Sequence, residues 1–229
     1  MQRQILVFDA DDTLWENNVL FERAIEAFID HLAHPTMTRE QVRAVLDEIE
    51  RSNCRSHGYG VATFHRSLGD TLVRLRTAAP PNGEDTALLE RLCHPMREGP
   101  VEVLPGVAET LAVLASRHRL LLLTKGHPAD QHRKLDASGL RGHFEETIVV
   151  DEKDPEVYRS LVASRGLEPS STWMIGNSPM SDIWPALEAG LGAVLVPHPH
   201  TWVLERRELP PASDRFVVID SISDLLDRF

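Results

Sequence analysis

Three carboxylates, Asp9, Asp11 and Asp12, stand within four positions, directly after the apolar run Ile5-Leu6-Val7-Phe8 and before Thr13-Leu14. Like charges this close repel one another, so the group needs a metal ion, a bound cation or water around it. Asp and Thr also start helices well, and a plain cap is the competing reading of the same residues. Other groups with chemical potential come much later in the chain. They are Thr124-Lys125-Gly126, Asp151-Glu152-Lys153-Asp154, and Gly176-Asn177-Ser178-Pro179-Met180-Ser181-Asp182. Singly, each has a structural explanation: a Thr that caps, a Lys in solvent, an Asn and an Asp in a loop or at a helix start. Together they offer a hydroxyl, a lysine and further acids, so that a cation can balance part of the charge of the first three carboxylates.

That balance requires the elements to bring these groups to one place. Ile5 to Phe8, four apolar residues in a row, reads as a short strand buried on both faces. Similar runs recur at Leu120-Leu121-Leu122-Leu123-Thr124, Thr147-Ile148-Val149-Val150, Thr172-Trp173-Met174-Ile175, Ala193-Val194-Leu195-Val196 and Phe216-Val217-Val218-Ile219. Helical stretches lie between them. One begins at Pro105-Gly106, and another has Pro128 at its start and Gly139 at its end. Two more run from Pro155 to Arg165 and from Ser181 to Ala189. Alternation of this kind predicts an α/β fold with a doubly wound parallel sheet covered on both faces. Ligands of such sheets bind at the carboxyl ends of the strands. Each chemical group named above directly follows a strand.

Between the first strand and its successors the texture is helical. Val19, Leu20, Ala24, Ile25, Ala27, Phe28, Ile29 and Leu32 recur at helical spacing and stop before Pro35. Thr38 and Gln41 have capping-box spacing ahead of Val42, Val45, Leu46 and Ile49. A glycine-containing break, Ser56 to Gly60, precedes a helix through Leu68, Leu72 and Leu75. Pro80-Pro81-Asn82-Gly83 predicts a turn, and Glu84 to Cys93 a fourth helix. The expected organisation is an α/β core of residues 1–17 and 99–229 with an inserted all-helical domain of residues 18–98.

The 229 residues include 35 acids against 24 Lys and Arg, a net charge of −11. This argues against nucleic acid and anionic membranes as partners. No stretch approaches the roughly 20 apolar residues of a membrane helix. A strand that begins by residue 5 leaves no room for a secretory signal. Cys54 and Cys93 lack metal or redox spacing and read as reduced core thiols. The expected compartment is the cytoplasm, with the protein a monomer or a homodimer.

Phe8-Asp9-Ala10-Asp11-Asp12-Thr13-Leu14, Leu123-Thr124-Lys125-Gly126, the Lys153 segment, and Gly176-Asn177-Ser178 with Ser181-Asp182 resemble, in order and spacing, the motifs of the haloacid dehalogenase-like (HAD) hydrolase superfamily. The helical insertion falls where the helical-cap subclass carries its cap, and the resemblance spans nearly the whole chain. It implies a Rossmann-like core and a Mg2+-dependent phosphohydrolase acting on a small phosphorylated metabolite. Asp9 is then the nucleophile that forms an aspartyl-phosphate, and Asp11 the general acid/base whose main-chain carbonyl also meets the metal. Lys153 supplies the neutralising ammonium, Thr124 a hydroxyl donor and Lys125 a candidate second cation. The metal falls to Asp9, Asp11, Asn177 and Asp182.

The chemistry accounts for such a set. Phosphomonoester hydrolysis is so slow that its enzymes accelerate it by up to about 10²¹-fold, and a covalent intermediate divides it into two easier steps. An anion that attacks an anion is opposed by roughly 4 kcal/mol per charge pair at about 4 Å and an effective dielectric of about 20, which nearby cations reverse. Two departures stand out. Asn177 occupies the place of an acidic metal ligand in many relatives, which moves that role toward Asp182. Lys125 stands where asparagine is frequent, and it either faces the phosphate or projects into solvent. Asp12, where many relatives have glycine, reads as an outward or capping acid.

Three other functions compete with this reading. A haloacid dehalogenase would need no acid at Asp11. A phosphoacceptor receiver module would be about half as long. A chain that binds without catalysis is the reading that Asn177 keeps open. Pro197-His198-Pro199-His200 has a His-x-His spacing but no evident third ligand, and reads as loop structure. His57, Tyr59 and His65 flank a glycine-rich turn of the insertion and name no substrate.

Overall fold

The computed structural model describes residues 3–76 and 82–229, which fall into two compact units, Met1–Asn18 with Val101–Phe229 and Val19–Pro100. The first is the α/β unit. Among the described residues its sheet has six parallel strands, β1 (Ile5–Phe8), β2 (Arg119–Lys125), β3 (Glu146–Val150), β4 (Thr172–Gly176), β5 (Gly192–Leu195) and β6 (Phe216–Val218). Their order is β3-β2-β1-β4-β5-β6. The strand order therefore reverses between β1 and β4, the position at which doubly wound sheets leave a crevice at their carboxyl edge.

Side chains along a strand alternate between the two faces of the sheet, and the cores follow that alternation. Leu6 and Phe8 of β1, Leu120 and Leu122 of β2, and Trp173 and Ile175 of β4 share one cluster with α5 (Val107–Arg117), α6 (Pro128–Ser138) and α9 (Leu225–Arg228). Ile5, Val7, Leu121, Leu123 and Met174 share the other with α7 (Pro155–Arg165) and α8 (Trp184–Glu188). Both faces are covered, so the strands read as continuous apolar runs. The edge strand β3 is only half-buried.

The helical unit contains α1 (Asn18–Leu32), α2 (Arg39–His57), α3 (Val61–Leu75) and α4 (Gly83–Glu98), and it has a core of its own around Phe28, Leu46, Leu68, Leu72 and Cys93. Thr38 caps α2, with Gln41 bonding back to it. Of the predicted turn, Pro80 and Pro81 lie outside the described residues, while Asn82 caps α4. That helix runs past Pro95 to Glu98, five residues beyond the predicted end. Cys93 is a core thiol as expected, but Cys54 is half-buried and outside the core.

Glu50 of α2 is buried, and its Oε2 has no hydrogen-bond partner. Burial, helped by Asp47 and Glu22 and opposed by Arg43, pushes its carboxyl from the ordinary 4.5 up to about 8. The unfolded chain releases this proton near pH 4.5 and the folded chain near 8, so the native state binds more protons in that window. Stability therefore falls as pH rises from about 4.5 to about 8. Glu50→Gln, which does not titrate, is expected to melt higher than the native chain at pH 8, with the difference shrinking toward pH 5. A difference independent of pH in thermal melts would refute this origin.

The chain leaves and re-enters the α/β unit along a short two-stranded path. Trp15 forms an antiparallel bridge with Val103, Glu16 N donates to Glu102 O at 2.9 Å, and Leu104 N donates to Leu14 O at 3.0 Å. Among the described residues no helix is long and apolar enough to cross a membrane.

Candidate active site

The three clustered acids are neutralised in three different ways. Asp9 follows β1 and is anchored by its backbone N–H to Ile175 O of β4 at 2.9 Å. Lys153 Nζ donates to its Oδ1 at 2.5 Å, and the Thr13 hydroxyl lies 3.1 Å from its Oδ2. Asp11 is bound at both oxygens by Lys134 Nζ, at 2.5 and 2.6 Å, with Trp15 Nε1 at 2.7 Å from Oδ1 and Gln131 Nε2 at 3.2 Å from Oδ2. Asp12 has no lysine. Its Oδ1 accepts the backbone N–H groups of Asn17 and Asn18, both at 2.9 Å, at the start of α1.

Asp12 is a capping acid, as one of its readings held, but it is buried and not outward. Burial pushes its carboxyl up to about 7, against the pull of the Asn18 and Asn17 N–H groups. Its φ of +60° explains why glycine suits this position: the left-handed region is open to glycine and, among other residues, favours Asp and Asn.

Lys153 sits just before α7, whose first turn fixes it. The Asp154 side chain accepts from Val157 N at 2.8 Å, and Pro155 follows the cap. The ammonium is almost wholly buried between Asp9 and Asp182, 2.8 Å from Asp182 Oδ1. Burial opposes the charge, but Asp182 and Asp9 outweigh it and hold the lysine above its ordinary pKa, so it stays an ammonium. The other oxygen of Asp182 accepts from Ser178 N at 2.9 Å, so both its oxygens are engaged. A Cβ on Gly176 would collide with this carboxylate, which explains the glycine at the end of β4.

The segment after β4 differs from the predicted helix that starts at Ser181. Pro179–Ile183 forms a π-turn capped by Ser178, and α8 begins only at Trp184. Such turns recur at functional sites. Here the π-turn directs Asp182 back beneath the strand end. Asn177 is buried, with its Oδ1 3.4 Å from the Thr13 hydroxyl and its Nδ2 3.5 Å from Thr201 Oγ1.

Thr124 is buried at the end of β2, and its hydroxyl oxygen accepts from Gln131 Nε2. Lys125 does not project into solvent. It is largely buried, 2.9 Å from Ser181 Oγ, 2.5 Å from Glu205 Oε1 and 3.3 Å from Glu152 Oε1. Glu205 also accepts from the Ser178 and Ser181 hydroxyls. Burial pushes this carboxyl up, but Lys125 and the two hydroxyls outweigh burial and keep it below its ordinary range.

Asp9, Asp11, Thr124, Lys153, Asn177 and Asp182 thus share the carboxyl edge of the sheet on either side of the strand-order reversal. Sequence reasoning missed Gln131, Lys134 and Glu205. Gln131 and Lys134 are three apart on α6 and so share a helix face. Glu205 lies in a loop with no pattern to mark it.

Asp9 Oδ2 and Asn177 Oδ1 both face the Thr13 hydroxyl and belong to the hard oxygen donors that Mg2+ prefers. The residues present therefore fit such an ion. The sequence model of the haloacid dehalogenase-like hydrolases matches residues 4–190. The chain belongs to this family. All of the edge residues just named fall within the HAD-like match, while His198 and Glu205 lie beyond it. A crystal structure of a HAD-like family hydrolase from Xanthomonas campestris superposes with a TM-score of 0.82 at 28% identity, over 99% of this chain and 94% of that one. Among curated relatives, a glyceraldehyde 3-phosphate phosphatase of Methanothermobacter thermautotrophicus is 27% identical over 95% of this chain and 96% of its own length. An N-acylneuraminate-9-phosphatase of Rattus norvegicus is 23% identical over 89% and 90%.

Proposed function

We propose that this HAD-like hydrolase is a Mg2+-dependent phosphatase of small phosphomonoesters that works through an aspartyl-phosphate on Asp9. The observation that supports it most is the pairing of two acids with separate cations: Asp9 with Lys153 at 2.5 Å, and Asp11 with Lys134 at 2.5 and 2.6 Å. A hydrolase that expels an alkoxide needs the second acid, and one that expels halide does not. The phosphatase names of the curated relatives support the same class of substrate.

In this reading Asp9 attacks phosphorus as the bond to the leaving oxygen breaks, and Asp11 gives that oxygen its proton. Asp11, now a carboxylate of the form that Lys134 binds, then takes the proton of the water that hydrolyses the acyl phosphate. Lys153 lowers the repulsion between nucleophile and phosphate, and the Thr124 hydroxyl donates to a phosphoryl oxygen. Asp9, Asn177 and the Asp11 carbonyl would hold Mg2+, which supplies charge neutralisation at the transferring group. Asp182, with both oxygens engaged, acts by positioning Lys153 and would add its negative charge to the group of residues that holds the ion. Lys125 and Glu205 order the turn that carries Ser178 and Ser181. Residues 18–98 serve as the cap that selects the leaving group.

The test is turnover of p-nitrophenyl phosphate and a panel of phosphorylated metabolites, with Mg2+ and with EDTA. Activity with Mg2+ and its loss in EDTA are expected. Activity indifferent to EDTA would remove the metal from the mechanism, and no turnover on any compound would favour a binding protein.

A further inference from the structure

His198, in the loop after β5, is enclosed on two sides by acids. Its side chain is 7% exposed, with Nδ1 3.7 Å from Asp12 Oδ1 and Nε2 3.3 Å from Glu16 Oε2. Nε2 and Oε2 are both buried, and neither makes a hydrogen bond. One oxygen of Asp12, one of Glu16 and one ring nitrogen of His198 all lie within 4.8 Å of one another. The acids that the His-x-His segment lacks in the nearby sequence are therefore supplied by the segment after β1, more than 180 residues earlier in the chain, while exposed His200 takes no part.

We propose that Glu16 and His198, with Asp12 orienting the imidazole, bind a first-row divalent transition-metal ion at a site separate from the one at Asp9. Two ligand atoms on a tetrahedral ion with bonds of about 2.0–2.1 Å stand roughly 3.3 Å apart. The pair formed by Nε2 and Glu16 Oε2 already has that spacing. The ion lies between these two atoms, where a buried ring nitrogen and a buried carboxylate oxygen otherwise face each other without a hydrogen bond. The ring then carries its proton on Nδ1 and turns it toward Asp12, the carboxylate–imidazole–metal arrangement that orients metal-bound histidines. In doing so Nδ1 gives up a 3.3 Å bond from the N–H of His200, an exposed residue whose amide turns to water.

The nitrogen donor sets the choice of metal. Imidazole selects ions such as Zn2+ or Co2+ over Mg2+, which favours oxygen alone. Two carboxylates and a neutral imidazole also balance a double positive charge. The loop is fixed for this role independently of any ion: the Thr201 hydroxyl donates to His198 O at 2.9 Å, and Asn18 Nδ2 donates to His200 O.

The experiment is Co2+ titration of chelator-stripped protein in a large excess of Mg2+, read by visible absorption and by elemental analysis after desalting. One Co2+ per chain is expected. Glu16→Gln and His198→Ala should each weaken binding at least tenfold, and Asp12→Asn by about tenfold to a hundredfold. Asp9→Asn should leave it unchanged, so this result stands even if the role given to Asp9 fails. In the native chain, Co2+ should shift the His198 ring protons in NMR spectra, a readout that no variant's folding affects. The proposal is overturned if no Co2+ is retained, if the Glu16 and His198 variants retain it equally, if Asp9→Asn abolishes it, or if the His198 signals do not move.

Discussion

Asp9→Asn is expected to lower turnover by at least about 10⁴-fold, the scale on which loss of a nucleophile is measured in other hydrolases, with the melting temperature nearly unchanged. The two outcomes separate because Lys153 keeps Asp182 at 2.8 Å when the Asp9 charge is removed, so no buried ammonium is left without a counter-ion. The amide keeps an oxygen for Lys153 Nζ, and its NH2 donates to the Thr13 hydroxyl oxygen, whose own proton turns to Asn177 Oδ1. Asp11→Asn should cripple turnover while leaving the nucleophile in place. Steady-state assays on p-nitrophenyl phosphate with matched melting curves decide this. Normal hydrolysis by Asp9→Asn would end the covalent mechanism.

Lys153→Met should reduce both activity and stability. It leaves two buried carboxylates facing one another with no cation between them, and breaking a buried pair in this way costs about 3–5 kcal/mol. For a protein of this size that corresponds to a fall of roughly 6–20 °C in melting temperature. The loss should depend on pH in a defined direction. Burial already pushes Asp182 up to about 7 against the pull of Lys153, and removal of the lysine raises it further. A protonated Asp182 no longer repels Asp9, so the deficit of the variant should shrink as pH falls from about 8 to about 5. Melting curves in EDTA across that range provide the check. A deficit that is constant or grows toward acid would show that packing, and not charge, is what Lys153 supplies.

The parts of this site that were legible in the sequence are those attached to strand ends. A run such as Ile5 to Phe8 fixes where its strand stops, so Asp9, Thr124 and Asn177 are placed as soon as the strands are. Lys153 follows from the Asp-Pro cap of the next helix. What stayed hidden depended on angles and faces. The positive φ of Asp12, which turns it inward, leaves no mark on residue type beyond a tolerance for Asp. The face that α6 presents to Asp11, with Gln131 and Lys134 on it, requires knowing how far the helix is rotated about its axis. The π-turn at Pro179–Ile183 leaves no mark either, and the sequence predicts ordinary helix from Ser181, because one inserted residue does not disturb apolar spacing over so short a stretch. Glu205 reaches Ser178, Ser181 and Lys125 from a loop, where no periodicity exists to be read.

The paired segments on either side of the helical unit have a consequence for ancestry and engineering. Glu16 and Glu102 are joined across an antiparallel ladder, where partners stand roughly 5 Å apart. Seen from the sheet, everything between them occupies the tip of a hairpin. The entropy of closing such a tip grows only with the logarithm of its length, so the α/β unit is nearly indifferent to how much chain is spliced in there. The insertion point is a socket, able in principle to take a few residues or a whole bundle. A lineage could therefore exchange what is plugged in, while the carboxylates, lysines and strand register of the α/β unit stay as they are.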